Sequence, residues 1–166
     1  MLGLLYAAGL RRAELVALDL ADYNGDTGEL KVRGKGNRER LLFVNNGAAD
    51  ALADWLHVRG DEPGPLFLPV NKGGVIQQGR RLVEQSVYDM VRRRAAQADV
   101  EPPSPHDLRR TFVSDLLDRG ADISTVQQLA GHANVQTTAR YDRRGDEAKR
   151  KAVGLLHYPH RRRTPR

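Results

Sequence analysis

The chain carries a set of side chains whose combined chemistry suits the handling of a phosphodiester. An arginine guanidinium can bind two phosphate oxygens at once through its planar fork. Histidine and lysine can move protons, and a tyrosine hydroxyl can act as a nucleophile. Together such groups could grip a phosphodiester, manage two protons and attack phosphorus without a metal ion. The residues are Arg11, Lys35, His106, Arg109, His132 and Tyr141.

Each of these residues, taken alone, also has an ordinary structural explanation. His106 and Arg109 are three positions apart and share a helix face, but they could simply form a solvated helix start. Lys35 lies between two glycines, a pattern that more often marks only a turn. A histidine that follows a glycine is commonly a helix cap, and a lone tyrosine usually serves packing. The combination of residues therefore has to carry any functional argument.

Length and composition set the class of protein. The 166 residues suit one domain, and a hydrophobic content of 40% suits a globular core. The absence of cysteine excludes disulfides and thiolate metal sites. No apolar run approaches the roughly 18 residues of a membrane helix, and the first residues lack the basic region of a signal peptide. We therefore expect a cytoplasmic protein with no membrane partner.

The positive charge is concentrated at the C-terminus. The formal net charge is +6, but residues 143–166 contain nine Lys or Arg against two acidic residues. That segment carries +7, and residues 1–142 sum to −1. A basic tail on a near-neutral body predicts a polyanionic partner, with nucleic acid as the main candidate. The alternative for the last residues is a solvated, disordered terminus.

Hydrophobic spacing and turn signals predict an α+β fold that is mostly α-helical, with one small antiparallel sheet near the N-terminal half. Two turn signals, NGDTG and GKGN, bracket ELKVR and precede RERLLFV, which predicts a hairpin with Lys35 at its tip. We also predict a short strand at residues 66–68. The predicted helices lie within LGLLYAAG, RRAELVALDL, residues 47–58, SVYDMVRRRAAQA, HDLRRTFVSDLLDRG, ISTVQQLAGH, VQTTARYD and DEAKRKAVGLL.

Several helix ends are marked by their residue types. Ser86 is the predicted N-cap of SVYDMVRRRAAQA. The helix over HDLRRTFVSDLLDRG has Pro105 in its first turn and Gly120 at its stop. For the following helix, Asp122 or Ser124 marks the entry and Gly131 the end. The residues predicted to face inward are Leu52, Trp55, Leu56, Leu108, Phe112, Leu116 and Leu117.

Five short motifs occur in one order along the chain. They are Gly9-Leu10-Arg11-x-x-Glu14-Leu15, Gly34-Lys35-Gly36-Asn37, His106-x-Leu108-Arg109-Arg110-Thr111, Leu129-Ala130-Gly131-His132 and Thr137-Thr138-x-x-Tyr141. In these motifs the chain resembles the catalytic domain of the tyrosine recombinases, also called the phage integrase family. The resemblance spans residues 9–141. Ala130 stands where leucine is commoner in the family.

The resemblance implies a chemical role for each of the six residues. Tyr141 would attack a DNA phosphodiester and form a 3′-phosphotyrosyl link with a free 5′-hydroxyl. Arg11 and Arg109 would hold the non-bridging oxygens, and His132 would add a further donor. Lys35 would protonate the 5′-oxygen, and His106 would assist proton transfer at the nucleophile. The resemblance implies no cofactor and no metal, so we expect activity in EDTA.

The resemblance also sets expectations about domains and partners. We expect a catalytic core at residues 1–142 and a basic C-terminal helix or tail at 143–166. The implied partner is double-stranded DNA, with self-association into a tetramer on DNA in the full-length protein. Family members carry an N-terminal DNA-clamp domain, for which this sequence has no room before Arg11. We therefore expect a catalytic-domain fragment or a truncated gene product.

The last predicted helix has two possible positions. Its apolar stripe could pack into a neighbouring protomer, as the resemblance implies, or fold back on its own domain. The stripe consists of Ala148, Ala152, Val153 and Leu156.

Three alternative functions remain open at the level of sequence. A type IB topoisomerase uses similar chemistry to relax supercoiled DNA. An inactive DNA-binding remnant of an integrase would keep the residues without the reaction. A basic helical DNA-binding module without catalysis would leave the two histidines, Lys35 and Tyr141 without a shared purpose.

Overall fold

The computed structural model describes residues 1–34, 36, 38–157 and 159, without the side chain of Glu147. This part of the chain contains eight α-helices and one two-stranded sheet, so the α+β, mostly helical prediction is confirmed. Within it, no helix is both long and apolar enough to cross a lipid bilayer. In chain order the elements are α1 (Leu2–Ala7), α2 (Arg12–Ala17), a 3₁₀ turn (Leu20–Asp22), β1 (Glu29–Arg33), β2 (Glu39–Phe43), α3 (Asn46–Arg59), α4 (Glu84–Gln97), α5 (Pro105–Asp118), α6 (Ile123–Ala130), α7 (Val135–Ala139) and α8 (Gly145–Gly154).

The predicted hairpin is confirmed, and its pleat decides which side chains reach the interior. Strands β1 and β2 are antiparallel, with Leu30 opposite Leu42 and Val32 opposite Arg40. Leu30, Val32 and Leu42 are buried, whereas the alternate residue Leu41 is exposed. Since side chains alternate between the faces of a strand, Arg40 lies on the inner face beside Val32.

Two apolar clusters stabilise the domain. The larger joins α1, α2, the sheet, α3 and α4, and the smaller lies between α5 and α6. The Tyr6 hydroxyl of α1 donates to the Asp115 carboxylate of α5 at 2.6 Å. Phe112 of α5 lies directly against the backbone of Gly9, just after α1. These two contacts hold α1 and the residues that follow it against α5.

Side chains cap the starts of α5 and α6; Pro105 and Asp122 are among the predicted markers, whereas the Ser104 cap was not predicted. Ser104 caps α5 by accepting the Asp107 N–H at 3.1 Å, and Pro105 is the first helical residue. Asp122, rather than Ser124, caps α6 by accepting the Thr125 N–H at 2.8 Å. Gly131 ends α6 in the left-handed conformation, with φ of 60°. These caps fix the two helices that carry most of the candidate site.

The strand predicted at residues 66–68 is wrong, although these residues are buried. The Trp55 indole donates to the Leu66 carbonyl at 2.8 Å, and the Arg59 guanidinium donates twice to the Pro65 carbonyl. Side-chain donors thus occupy carbonyls that a neighbouring strand would need. The segment is buried as an irregular connection between α3 and α4.

The predicted N-cap at Ser86 is also wrong. Helix α4 begins at Glu84, and its N-cap is the extended residue Val83. Ser86 therefore lies inside the first turn, with its N–H bonded to the Val83 carbonyl at 3.0 Å. An acidic residue in the first turn is favourable at a helix N-terminus, which is consistent with a start at Glu84.

We predict that replacing Gly9 destabilises the domain more than replacing a glycine with open surroundings. Gly9 has φ of +58°, and a Cβ there would lie 2.3 Å from Cδ1 of Phe112. Because backbone strain and overpacking combine, Gly9→Ala should lower the free energy of unfolding by about 2–4 kcal/mol. Urea unfolding followed by Trp55 fluorescence measures this loss.

Gly120→Ala is the matched control for that prediction. Gly120 has φ of +93°, but nothing lies within 4 Å of a Cβ placed there. This variant should show only the backbone cost, about 1–2 kcal/mol. Equal losses in the two variants would contradict the close packing of Gly9 on Phe112.

Candidate active site

Arg109 is the buried centre of the site. Its side chain projects from the first turns of α5, and the residue is only 3% exposed. Nη1 donates to the Gly9 carbonyl at 2.6 Å, and Nη2 donates to the Ala130 carbonyl. Burial, followed by the charge of Arg11, lowers the pKa of Arg109 to about 10. The guanidinium therefore stays protonated at neutral pH and ties α5 to the ends of α1 and α6.

Arg11 lies at the start of α2 and remains partly open to solvent. It is the N-cap residue, and its backbone N–H donates to the Glu14 carboxylate at 2.8 Å. Its Nη1 donates to the other carboxylate oxygen of Glu14 at 2.7 Å, and its side chain is 44% exposed. One edge of the guanidinium is thus fixed while the rest can meet an anion.

The carboxylate of Glu14 is shared with a second arginine. Arg40 donates through Nη1 to Oε1 at 2.9 Å and through Nη2 to Oε2 at 2.8 Å. Burial alone would raise the pKa of Glu14, but the hydrogen bonds and charges of Arg40 and Arg11 outweigh it and lower the pKa to about 2. Glu14 is therefore ionised at any pH near neutrality.

His132 follows the last turn of α6 and is held by the next helix. Its Nδ1 lies 2.9 Å from Oγ1 of Thr138, a fully buried residue of α7. Burial, and then the charges of Arg109, Arg11 and Arg40, lower the pKa of His132 to about 4. The imidazole is therefore neutral at pH 7, and Nε2 is the ring nitrogen that Thr138 does not use.

Tyr141 lies next to His132, two residues beyond the end of α7. Its backbone N–H donates to the Thr138 carbonyl at 3.0 Å, and its ring packs partly against the cluster between α5 and α6. The Tyr141 and His132 rings are stacked, with centroids 6.5 Å apart and planes 25° apart. Thr138 thus positions both residues, one through its hydroxyl and one through its carbonyl.

Two adjoining clefts bring most of the predicted residues together. The smaller, of about 240 Å³, is lined by Arg11, His106 and Arg109. The larger, of about 1130 Å³, is lined by Arg11 and His132 and also by Arg40. Because Arg11 borders both, a phosphodiester chain lying along the clefts could contact all of these residues.

Lys35 lies outside the described residues, so its predicted place at the hairpin tip is not tested here. Its neighbours Gly34 and Gly36 both line the larger cleft. The described residues contain no group of three His, Asp or Glu side chains placed to hold a metal ion. The other five predicted residues, Arg11, His106, Arg109, His132 and Tyr141, lie around the clefts or stack on a residue that does.

Arg40 was not predicted from the sequence, and Glu14 was predicted only as part of a motif. A signal for Arg40 was present in the strand pattern, since it alternates with Leu42 and Val44 on one face. Those two residues are buried, so a charged residue on the same face of the strand needs a buried partner. No comparable signal pointed from Glu14 to Arg40, because 26 residues separate them.

Comparison with known proteins gives consistent matches. Residues 1–147 match the model of the phage integrase family. The chain is 42% identical over 144 residues to the tyrosine recombinase XerC of Corynebacterium glutamicum. The aligned region covers 85% of this chain and 44% of that protein. The crystal structure of XerA recombinase has a TM-score of 0.72 at 30% identity and covers 94% of this chain and 57% of that one.

A second solved structure is the XerH site-specific recombinase bound to difH substrate in a pre-cleavage complex. It has a TM-score of 0.66 at 26% identity, covering 89% of this chain and 43% of that one. The chain thus spans about half the length of the relatives that it matches.

We predict that His132 makes the stability of the domain depend on pH between about 6.5 and 4. In this range the unfolded chain binds a proton at residue 132 while the folded chain does not, so stability falls as the pH falls. The lowered carboxylate pKa values of Glu14 and Asp142, both about 2, act mainly below this range. His132→Asn should therefore flatten the slope.

Urea unfolding of both proteins at a series of pH values measures that slope. The other histidines are common to the two proteins, so their contributions cancel in the difference. Parallel curves for the wild-type and His132→Asn proteins between pH 6.5 and 4 would contradict the lowered pKa of His132.

Proposed function

Because this chain belongs to the phage integrase family, we propose that it supplies the catalytic domain of a site-specific DNA recombinase. Double-stranded DNA is the proposed substrate, and Tyr141 is the proposed nucleophile that cleaves and rejoins it. The observation that carries the proposal is the convergence of Arg11, Arg109 and His132 on adjoining clefts, with the Tyr141 ring stacked on His132. Residues 1–142 form the proposed catalytic core.

In the proposed reaction the Tyr141 hydroxyl oxygen attacks the phosphorus of a DNA phosphodiester. A bond forms between that oxygen and the 3′-phosphate, and the bond from phosphorus to the 5′-oxygen breaks. The tyrosine proton passes to His106 and the leaving 5′-oxygen takes a proton from Lys35, and both roles rest on the family resemblance. One phosphoester is exchanged for another, so a 5′-hydroxyl of a second DNA end can reverse the step.

The arginines are suited to the negative charge that gathers on the non-bridging oxygens during this step. Arg109 has five N–H groups, and its bonds to Gly9 and Ala130 use two of them. The remaining donors of Arg109, at the wall of the smaller cleft, and the free edge of Arg11 are available to phosphate oxygens. Such preorganised donors stabilise the transition state, and loss of one costs about 10²–10³ in rate.

His132 can act as a neutral donor in the same cluster. Its lowered pKa keeps the ring uncharged beside the arginines, and a neutral imidazole carries one N–H. That N–H can bond a phosphate oxygen if Thr138 donates its hydroxyl proton to Nδ1. Thr138 would then set the tautomer as well as the orientation of the ring.

We further propose that the chain associates with itself on DNA, into a tetramer in the full-length protein, and that α8 contributes to the contact. Val153, Leu155 and Leu156 lie at the end of α8 and are exposed to solvent. An apolar group that is left uncovered on its own domain is typical of a protein contact. This favours docking on a neighbouring copy over folding back.

We predict that Tyr141→Phe abolishes covalent attachment to DNA. Nicked duplexes with a randomised central segment are incubated with protein in EDTA, and linked DNA is recovered under denaturing conditions. The nick lets the fragment beyond the cleaved bond diffuse away, so the link accumulates. The wild-type protein should yield linked DNA, and the Phe variant, which lacks the attacking oxygen, should yield none above background.

Two controls make this test specific. Tyr88→Phe removes a hydroxyl from a residue of α4 that lines neither cleft, and it should leave the yield unchanged. Filter binding of the same duplexes should show similar affinity for all three proteins, since the tyrosine oxygen contributes little to binding. Linked DNA in the Tyr141→Phe sample would disprove the assigned nucleophile.

We predict that a charge on the apolar end of α8 weakens assembly on DNA. Val153 is 68% exposed, and Val153→Asp places a carboxylate where the proposed contact needs apolar surface. Sedimentation velocity with and without duplex DNA should show that the wild-type chain forms larger complexes than this variant.

Val58→Asp on α3 is the matched control, because Val58 is 62% exposed and lies on another element. It should assemble as the wild type does. Equal complexes for Val153→Asp and the wild type would refute a role for α8 in self-association.

A further inference from the structure

Arg40 joins three elements of the site through one buried side chain. It extends from β2, bonds both carboxylate oxygens of Glu14 in α2, and donates from Nε to the Leu129 carbonyl at 3.0 Å near the end of α6. Its side chain is only 12% exposed. Three of the five N–H groups of the guanidinium are thus bonded to the protein, although Arg40 also lines the larger cleft.

The Glu14 carboxylate is saturated by this arrangement. Oε1 accepts from Nη1 of Arg11 and Nη1 of Arg40. Oε2 accepts from the backbone N–H of Arg11 and from Nη2 of Arg40. A carboxylate has about four acceptor positions, so no freedom is left for Glu14 to rotate without breaking a bond. Arg11 is therefore held through a carboxylate that Arg40 holds in turn.

The same guanidinium supports the end of α6. The last four carbonyls of a helix lack partners within it. Here Arg40 binds the Leu129 carbonyl and Arg109 binds the Ala130 carbonyl. A Cβ on Gly131 would lie 3.2 Å from Cδ and Nη1 of Arg40, so a side chain there would press on the Arg40 side chain. His132 is the next residue, and its backbone position depends on this junction.

We propose that Arg40 is a positioning residue, which holds Arg11 through Glu14 and holds the turn before His132 through Leu129. The proposal rests on the proposed function insofar as Arg11 and His132 act on the phosphodiester. Arg40 itself touches neither nucleophile nor leaving group in this role. Its side chain is mostly buried against Glu14 and the end of α6, so its contribution is to geometry more than to the attraction of DNA.

Lysine cannot replace Arg40 in this role. The ammonium is a single point charge and cannot span the two carboxylate oxygens and the Leu129 carbonyl in one plane. Arg40→Lys keeps the charge but releases Glu14 and the end of α6. A displacement of about 1 Å in a positioning group can cost about 10²-fold in rate. We expect the rate of DNA linkage to fall about 10- to 100-fold.

The test measures the rate of DNA linkage separately from the affinity for DNA. Its substrate is one nicked duplex that wild-type protein selects from the randomised set. Single-turnover linkage is measured at saturating protein, and affinity is measured by filter binding over a range of salt. Arg40→Lys should lower the linkage rate while leaving the affinity and its salt dependence within about threefold of the wild type. A weaker affinity that accounts for the lost yield would overturn the proposal and make Arg40 a DNA contact.

Arg59→Lys is the matched control for the loss of a buried arginine. Arg59 is also buried, it donates to the carbonyls of Gly60 and Pro65, and it lines neither cleft. It should lower the melting temperature without changing the linkage rate measured below that temperature. An equal loss of rate in Arg59→Lys would mean that general destabilisation explains the effect of Arg40→Lys.

A double-mutant cycle tests whether Arg40 acts through Glu14. If it does, Glu14→Gln and Arg40→Lys remove parts of one network, and the double variant should be little slower than the worse single variant. If the rate loss of the double variant equals the product of the two single losses, Arg40 does not act through Glu14 and the proposed route is overturned.

A measurement without DNA keeps the two proposals distinguishable. In an NMR spectrum of the free protein, the Nε–H signal of Arg11 is assigned by its loss in Arg11→Lys. This signal should shift or broaden in Arg40→Lys but not in Arg59→Lys. If wild-type protein links no DNA, the proposed function fails while this result still supports or contradicts the role of Arg40. An unchanged Arg11 signal in Arg40→Lys would contradict it.

Discussion

The site depends on burying the guanidinium of Arg109 between two backbone carbonyls. Removing a charge from water is costly unless the group is fully hydrogen-bonded. The carbonyls of Gly9 and Ala130 supply that compensation, and both follow or end a helix, where carbonyls lack partners and the helix dipole favours a cation. The cost of burying the charge and the need to satisfy the helix ends therefore offset each other in one contact.

This contact also explains why distant motifs have to meet. Gly9 and Arg109 are separated by 100 residues, and Ala130 lies a further 21 residues along. One side chain therefore joins the start of the domain to α5 and α6. A second arginine, Arg40, makes the equivalent connection from the sheet to the carbonyl of Leu129. The end of α6 is held by both, and the residue that follows the terminal glycine is His132.

The charges of three arginines and one glutamate determine the electrostatics of the clefts. Arg11 and Arg40 share the one carboxylate of Glu14, and the charge of Arg109 lies near them, so the group keeps an excess of positive charge. Together with burial, this excess lowers the pKa of His132 to about 4 and the pKa of Arg109 to about 10. The same excess suits a phosphodiester, whose negative charge grows during transfer. The positive charge that these arginines create in the folded protein is therefore also the charge that phosphoryl transfer needs.

The sequence was sufficient for features set by local spacing. The hairpin, the Asp122 cap of α6, Pro105 at the start of α5 and the helix that carries Arg109 follow from residue types within a few positions. The predicted strand at residues 66–68 failed because Trp55 and Arg59 occupy carbonyls there, which no local pattern reveals.

The bond from Arg40 to Glu14 likewise depends on tertiary contact. Alternation along β2 marked Arg40 as facing inward, but its partner lies on another element. Motif order gathered the candidate residues into one hypothesis, whereas the hydrogen bonds that hold them appear only in three dimensions.

Locating the DNA-linked residue by mass spectrometry tests the central claim most directly. Wild-type protein linked to DNA is digested with nuclease and protease, and the peptides are searched for residual nucleotides. The account predicts a nucleotide joined through its 3′-phosphate to the peptide that contains Tyr141, and to that residue alone. Attachment at another residue, or through a 5′-phosphate, would contradict the account.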